Sequence, residues 1–290
     1  MTVVPLGRSW KESLASLLSG AESDVLISSP YVTQRGTDFM VKHSSPDMRA
    51  NGRIMLLTNL SPLNVAQGAT SPEAIQSLIE AFPQATVRHL PRLHAKVYVA
   101  DLNRAIVTSG NLTAGGLDLN YEYGLVLDQA STVEIIRNDI TEYASLGAVI
   151  GLERIVTYRQ VAEQTRVAFR EQQRTVSRSA RRLFEETLRD ADDELIKLRV
   201  AEGPIHTVFA RTILYLLRRE GPLATERLHP LVQEIHPDLC DDSVDRVING
   251  VRFGKKWKHA VRTAQQQLKK RELIELQDGL WKLSDTVPVY

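Results

Sequence analysis

The chain has 290 residues, 43% of them apolar, 24% charged and 6% aromatic, with a formal net charge of +1. That is the profile of a soluble globular protein with room for about two ordinary domains. It contains neither an apolar run near the roughly 20 residues of a membrane-spanning helix nor a leading apolar core like that of a secretory signal. The single cysteine, Cys240, excludes an internal disulfide and a cysteine zinc cluster. A cytoplasmic location away from membranes is the expectation.

Taken in order, Leu6, Trp10, Leu14, Leu17 and Leu18 recur at helical spacing, so the first twenty residues read as an amphipathic helix. Ser23–Tyr31 and Arg53–Leu60 read as short buried strands, and the polar stretch Thr33–Asn51 between them as a loop that could roof a cleft. Ser71 and Pro72 signal the start of a helix with a stripe of Ile75, Leu78, Ile79 and Phe82. Ala85–Leu90 is another strand. Further on, Ser131 and Glu134 have capping-box spacing before a helix carrying Ile136, Ile140 and Tyr143. Strands alternating with helices as far as residue 150 define an α/β domain.

Residues 151–202 are dense in charge and almost free of Gly and Pro, which predicts one or two long helices acting as a connector. Ile155, Ala162, Phe169, Val176 and Leu183 recur every seven residues, but the intervening positions are too polar for a coiled coil. Arg166, Arg170, Arg174, Arg178 and Arg182 recur every four. They fit either a solvated face with intrahelical ion pairs or a helix that touches nucleic-acid backbone. Gly203–Pro204 opens a third region, 203–290, with helices over Ile205–Arg219, Leu228–Ile235 and Trp257–Arg271. Two short strands follow, Leu273–Leu276 and Leu280–Leu283, and the Asp278–Gly279 pair between them is a hairpin signal. The window Arg252–Arg271 holds eight Lys or Arg and no acid, the footprint of an anionic partner.

The chemistry concentrates between Leu93 and Gly124. A strand-like alternation places His94, Lys96 and Tyr98 on one face and Leu93, Ala95, Val97 and Val99 on the other. Same-face neighbours lie about 7 Å apart, close enough for an imidazole and an ammonium to share one phosphate. Asp101 ends that strand. A second strand, Ala105–Thr108, delivers Ser109 and Asn111 into a glycine-containing turn, and Glu122 precedes a third strand, Tyr123–Leu127. A lone His-x-Lys is usually an ordinary polar strand face; the ordered downstream polar groups are what favour a catalytic reading.

His94-x-Lys96-x4-Asp101 followed by Ser109-Gly110-Asn111 resembles the HKD motif of the phospholipase D superfamily, and SGNLT with Asn120-x-Glu122-x-Gly124 resembles its nuclease branch. The family pattern has Gly where this chain has Thr108. The resemblance implies a mixed sheet flanked by helices over residues 1–150 and metal-independent phosphodiester hydrolysis, with no cofactor. His94 would attack phosphorus to form a phosphohistidine, Lys96 and Asn111 would bind phosphate oxygens, Ser109 would assist and Glu122 would hold the imidazole. Asp101 reads as structural. No second His-x-Lys exists in the chain, so the resemblance implies a homodimer through the catalytic domain, in which each site receives both copies of His94.

Three helices followed by a hairpin resemble the winged-helix domains attached to restriction enzymes. On that resemblance Lys255, Lys256, Lys258, Arg262 and Gln265 would face DNA from the third helix or its entrance. The resulting expectation is a DNA endonuclease with a restriction or phage-defence role, and helicase or other defence-system subunits as partners. The rival expectations are a DNA-binding scaffold that keeps the fold without activity and a lipid phosphodiesterase.

Overall fold

The computed structural model describes residues 3–7, 10–174, 178–201 and 203–285, with the side chains of 172–181, 199 and 200 outside that description. The chain divides near residue 198 into two units. The first contains β1 (Val3–Leu6), α1 (Trp10–Ser19), β2 (Asp24–Ser28), α2 (Gln34–His43), α3 (Pro46–Asn51), β3 (Arg53–Thr58), α4 (Pro62–Ala66), α5 (Pro72–Ala81) and β4 (Ala85–His89). It continues through β5 (Val97–Ala100), β6 (Arg104–Thr108), β7 (Gly124–Leu127), α6 (Ala130–Leu146), β8 (Ala148–Ile150), α7 (Leu152–Arg174) and α8 (Arg178–Val200).

The strands form one sheet in the order β1-β7-β6-β5-β2-β3-β4-β8. β2, β3 and β4 are parallel, and every other neighbouring pair is antiparallel. This topology brings the ends of β2, β3, β4 and β6 to the same edge as the starts of β5 and β7. Both faces of the central strands are covered, as a sheet with helices on each side requires. Leu26, Val97, Val99 and Ala105 pack with Val133 and Ile140 of α6. On the other face Ile27, Leu56, Tyr98 and Ile106 share a core with Trp10 and Leu14 of α1, Phe39 of α2, and Ile75 and Leu78 of α5.

Several local expectations change once tertiary pairing is seen. Val3–Leu6 is a strand paired antiparallel with β7, and the helix is Trp10–Ser19. The stretch expected to be a roofing loop is α2 and α3, whose buried Phe39, Met40 and Met48 are too few to announce a helix. Ser71 does cap α5, accepting from the Ala74 N–H. The Ser131–Glu134 capping box does not form, since α6 already begins at Ala130 and Ser131 lies inside it. The segment expected to be a connector is part of the first unit: Ile155, Tyr158 and Ala162 of α7 and Ala191, Leu195 and Leu198 of α8 lie in the same buried core as the sheet. In the arginine stripe Arg182 pairs with Glu186, as a solvated face would, whereas Arg166 is half-buried and pairs with Glu73 of α5 as well as with Glu163. Val176 and the side chains of Arg174 and Arg178 lie outside the described residues.

The second unit contains α9 (Ile205–Glu220), α10 (Thr225–Ile235), β9 (Asp245–Ile248), β10 (Val251–Lys255), α11 (Lys256–Lys270), β11 (Ile274–Gln277) and β12 (Leu280–Leu283). Val208, Phe209, Ile213, Leu216, Leu228, Val232, Trp257, Val261, Leu268, Ile274 and Trp281 are buried. The β11–β12 turn is Asp278–Gly279, both with positive φ (51° and 79°), as a two-residue primed turn demands. Leu223, between α9 and α10, exchanges two backbone hydrogen bonds with Trp281, each 2.9 Å. The hairpin β9–β10 was not anticipated, although its Asn249–Gly250 turn (φ 50° and 80°) carries the same signal.

Candidate active site

His94, Lys96, Ser109 and Glu122 meet at that single sheet edge because of register. Val97 pairs with Val107, and Thr108 with Gly124. Past the strand ends the ladder continues: the Thr108 N–H donates to the Lys96 carbonyl (3.1 Å) and the Ser109 N–H to the Tyr123 carbonyl (2.9 Å). His94 and Lys96 therefore stand just before β5, Ser109 just after β6 and Glu122 just before β7. Three chain segments converge on one small region.

His94 is exposed, whereas Lys96 is only 8% exposed. The Lys96 ammonium donates to the His94 carbonyl at 2.8 Å and lies 3.2 Å from each imidazole nitrogen. A neutral imidazole accepts at one of those nitrogens only, so the tautomer decides which of them the ammonium can bond. Burial lowers the Lys96 pKa, against the opposing charge of Glu122. Glu122 accepts a short hydrogen bond from the Ser109 hydroxyl and a second, 3.1 Å, from the Asn120 amide. Both carboxylate oxygens are thus engaged, and the expected bond from Glu122 to the imidazole is not formed within one chain. The Asn111 Oδ1 is buried with no hydrogen-bond partner.

Asp101 lies at the opposite end of β5, with φ 49°, roughly 20 Å of extended chain from His94. It accepts from the N–H groups of Glu22, Ser23 and Asp24, each at 3.0 Å, and from the Ser23 hydroxyl at 2.9 Å. Burial opposes ionisation there, but these donors outweigh it and hold the carboxyl below its ordinary range. Asp101 ties the start of β2 to the end of β5 and stands apart from the other motif residues.

Supporting residues to which sequence reasoning gave no role in the site complete the geometry. The Trp10 indole N–H donates to the Gly116 carbonyl (2.8 Å) and the Tyr98 hydroxyl to the Gly110 carbonyl (2.9 Å). A Cβ on Gly110 would come within 2.4 Å of the Trp10 ring, and one on Gly116 within 2.4 Å of the Asn111 carbonyl oxygen. The two glycines let the Ser109–Gly116 turn fold down onto Trp10. Ser28 donates to the Ala95 carbonyl, and Ser29 Oγ accepts from the Leu112 N–H, so the end of β2 clamps both halves of the motif. The adjacent pair Ser28–Ser29, closing a buried strand, was the available signal.

Residues 14–143 match the family described as cardiolipin synthase, PLD-like domain. That stretch, a little under half of the chain, is similar to a phospholipase D-like domain. Its fold is similar to that of NucT from Helicobacter pylori (14% identity, TM-score 0.43, covering 51% of this chain and 99% of that one). It is similar also to a phospholipase D family member, Nuc, from Salmonella typhimurium (13%, 0.43, 51% and 97%). A third similar structure is a phosphatidylserine synthase from Haemophilus influenzae (18%, 0.40, 51% and 40%). No curated protein matches the chain. The phospholipase D-like domain accounts for the mixed sheet and for the clustering of His94, Lys96, Ser109, Asn111 and Glu122 at its edge. That set offers an imidazole nucleophile, a buried cation and amide and hydroxyl donors, which is the inventory for phosphoryl transfer. Among the described residues no three of His, Cys, Asp and Glu converge as metal ligands would, and no helix is long and apolar enough to cross a membrane.

In the second unit the residues expected to contact DNA divide. Lys256 and Arg262 are exposed on α11. Lys258 lies over the Trp257 ring, 5.4 Å from its centroid. Lys255 pairs with Asp245 at 2.9 Å. Gln265 is a correction: only 1% exposed, it donates to the Thr225 hydroxyl, which also accepts from the Trp281 indole. It faces the core because it shares the stripe of Val261, Ala264 and Leu268, and it cannot read a base.

Proposed function

We propose that this chain is a nuclease that hydrolyses DNA phosphodiesters through a phosphohistidine at a site completed by a second copy. The observation that carries this reading is the convergence of His94, Lys96, Ser109, Asn111 and Glu122 on one edge of a phospholipase D-like sheet. His94 attacks phosphorus while Lys96 and the Asn111 amide neutralise the phosphoryl oxygens. The departing alkoxide takes a proton from His94 of the partner subunit. Water then attacks the phosphohistidine, giving up its proton to that same second imidazole, and the first histidine is released. Metal has no step in this sequence.

The need for a second copy has support beyond the histidine count. Leu119, Tyr121 and Tyr123 are 75%, 81% and 63% exposed and flank Glu122 on both sides. Large apolar and aromatic side chains clustered at a catalytic edge suit an isologous interface, which would bring two His94 residues together. The second unit, with three helices, two hairpins and acid-free basic charge on α11, suits a winged helix that engages DNA phosphates through Lys256, Lys258 and Arg262. A restriction or phage-defence setting fits that pairing of domains.

The test is cleavage by wild type and His94→Ala of plasmid, single-stranded DNA, RNA and phospholipid vesicles. DNA cleavage lost in the variant is the expected result. Headgroup release without DNA cleavage would point to the lipid reading, and equal behaviour of both proteins on every substrate to a scaffold.

A further inference from the structure

A second feature of the first unit is a cleft of about 700 Å³ lined by Thr33, Gln67, Gly68, Ser71, Arg166, Phe169 and Arg170, among others. It lies next to the catalytic edge. Val32 bridges Leu112 in parallel register, the Thr33 N–H donates to the Leu112 carbonyl (2.9 Å) and the Ser71 N–H to the Val32 carbonyl (2.8 Å). Leu112 directly follows Asn111, so one hydrogen-bonded step links the cleft wall to a phosphate-binding candidate.

The lining is mixed in a particular way. Phe169 is half-buried and packs against Phe184, with ring centroids 5.4 Å apart, giving an aromatic wall. Arg166 is fixed by Glu73 (3.3 Å) and Glu163 (3.0 Å), yet its Nε is buried without a partner, as is the Thr33 hydroxyl. Arg170 is exposed and, among the described residues, has no ion-pair partner. An aromatic wall, a free guanidinium and unmatched polar atoms together suit a stacked base with its phosphate.

We propose that this cleft is a nucleotide subsite, which holds one flanking nucleotide of a single-stranded stretch of the substrate against Phe169 and Arg170. The inference rests on the nuclease reading and adds to it a role for α7, which lies outside the matched domain. It also divides the arginine stripe: Arg166 is a structural member and Arg170 a binding one.

Two measurements keep the subsite and the nuclease reading apart. The first is fluorescence anisotropy of a labelled oligodeoxythymidylate with His94→Ala protein, with and without Arg170→Ala. Loss of Arg170 is expected to weaken binding about tenfold, and Phe169→Leu by a similar factor, with Arg170→Lys largely restoring it. The second is catalysis by wild type and Arg170→Ala on single-stranded DNA and on bis(p-nitrophenyl) phosphate, which is too small to reach the cleft. The expected result is a raised KM on DNA with turnover of the small diester unchanged. If neither substrate is cleaved by wild type, the nuclease reading fails and the anisotropy alone decides the subsite. Oligonucleotide affinity that is absent in the parent, or unaltered by Arg170→Ala and Phe169→Leu, would overturn the proposal.

Discussion

Lys96 and Asp101 belong to one motif and do opposite work. In the proposed mechanism Lys96 carries its charge to bind phosphate oxygens, and burial lowers its pKa. Protonated lysine exists below that pKa, so activity is expected to fall on the alkaline side earlier than an ordinary lysine would dictate. A pH profile of kcat/KM checks this: Lys96→Arg, if active, should carry the alkaline limb to higher pH, whereas an unmoved limb would assign it to another group. Asp101 is held below its ordinary range by the donors of Glu22, Ser23 and Asp24. The stability this confers is present above the unfolded-state pKa and is lost as pH falls through the lower folded value. Asp101→Asn is expected to cost about 1–3 kcal/mol in denaturant unfolding, with DNA cleavage kept well below the melting temperature. Cleavage lost in a fully folded variant would give Asp101 a catalytic role.

At the scale of elements, the motif was legible because short strands with strict spacing carried it. His94, Ser109 and Glu122 occupy neighbouring strand ends, and antiparallel register alone brings them together. What stayed hidden depended on tertiary pairing. Val3–Leu6 extends a helical pattern in sequence but is captured by β7. The polar look of 33–51 concealed α2 and α3, because few apolar residues suffice when each is fully buried. Gln265 shows the same limit: a polar residue on a buried stripe satisfies a partner that sequence does not reveal. It follows that Gln265→Ala should destabilise the second unit by about 1–3 kcal/mol by leaving buried groups unpaired. Arg262→Ala, in contrast, should weaken DNA binding and flatten its salt dependence without changing stability. Salt titrations of binding beside thermal melts separate the two; equal loss of DNA affinity in both folded variants would count against this division.

For the whole molecule, the proposed mechanism has each chain supply half of the histidines of a site. Leu119→Asp, placed on the exposed apolar cluster beside Glu122, is expected to give folded monomers by sedimentation and little cleavage; an active monomer would remove the need for a second copy. The chain also shows why the boundary of the first unit was hard to read. Residues 151–198 look like a linker by composition, yet Ile155, Tyr158, Ala191 and Leu195 complete the core of the first unit. The most direct measurement is plasmid cleavage, in excess EDTA, by purified heterodimers of one wild-type and one His94→Ala subunit. If one site uses both imidazoles, the heterodimer should fall to the level of the His94→Ala homodimer. Retention of half the wild-type rate, or abolition of wild-type cleavage by the chelator, would contradict the shared, metal-independent site.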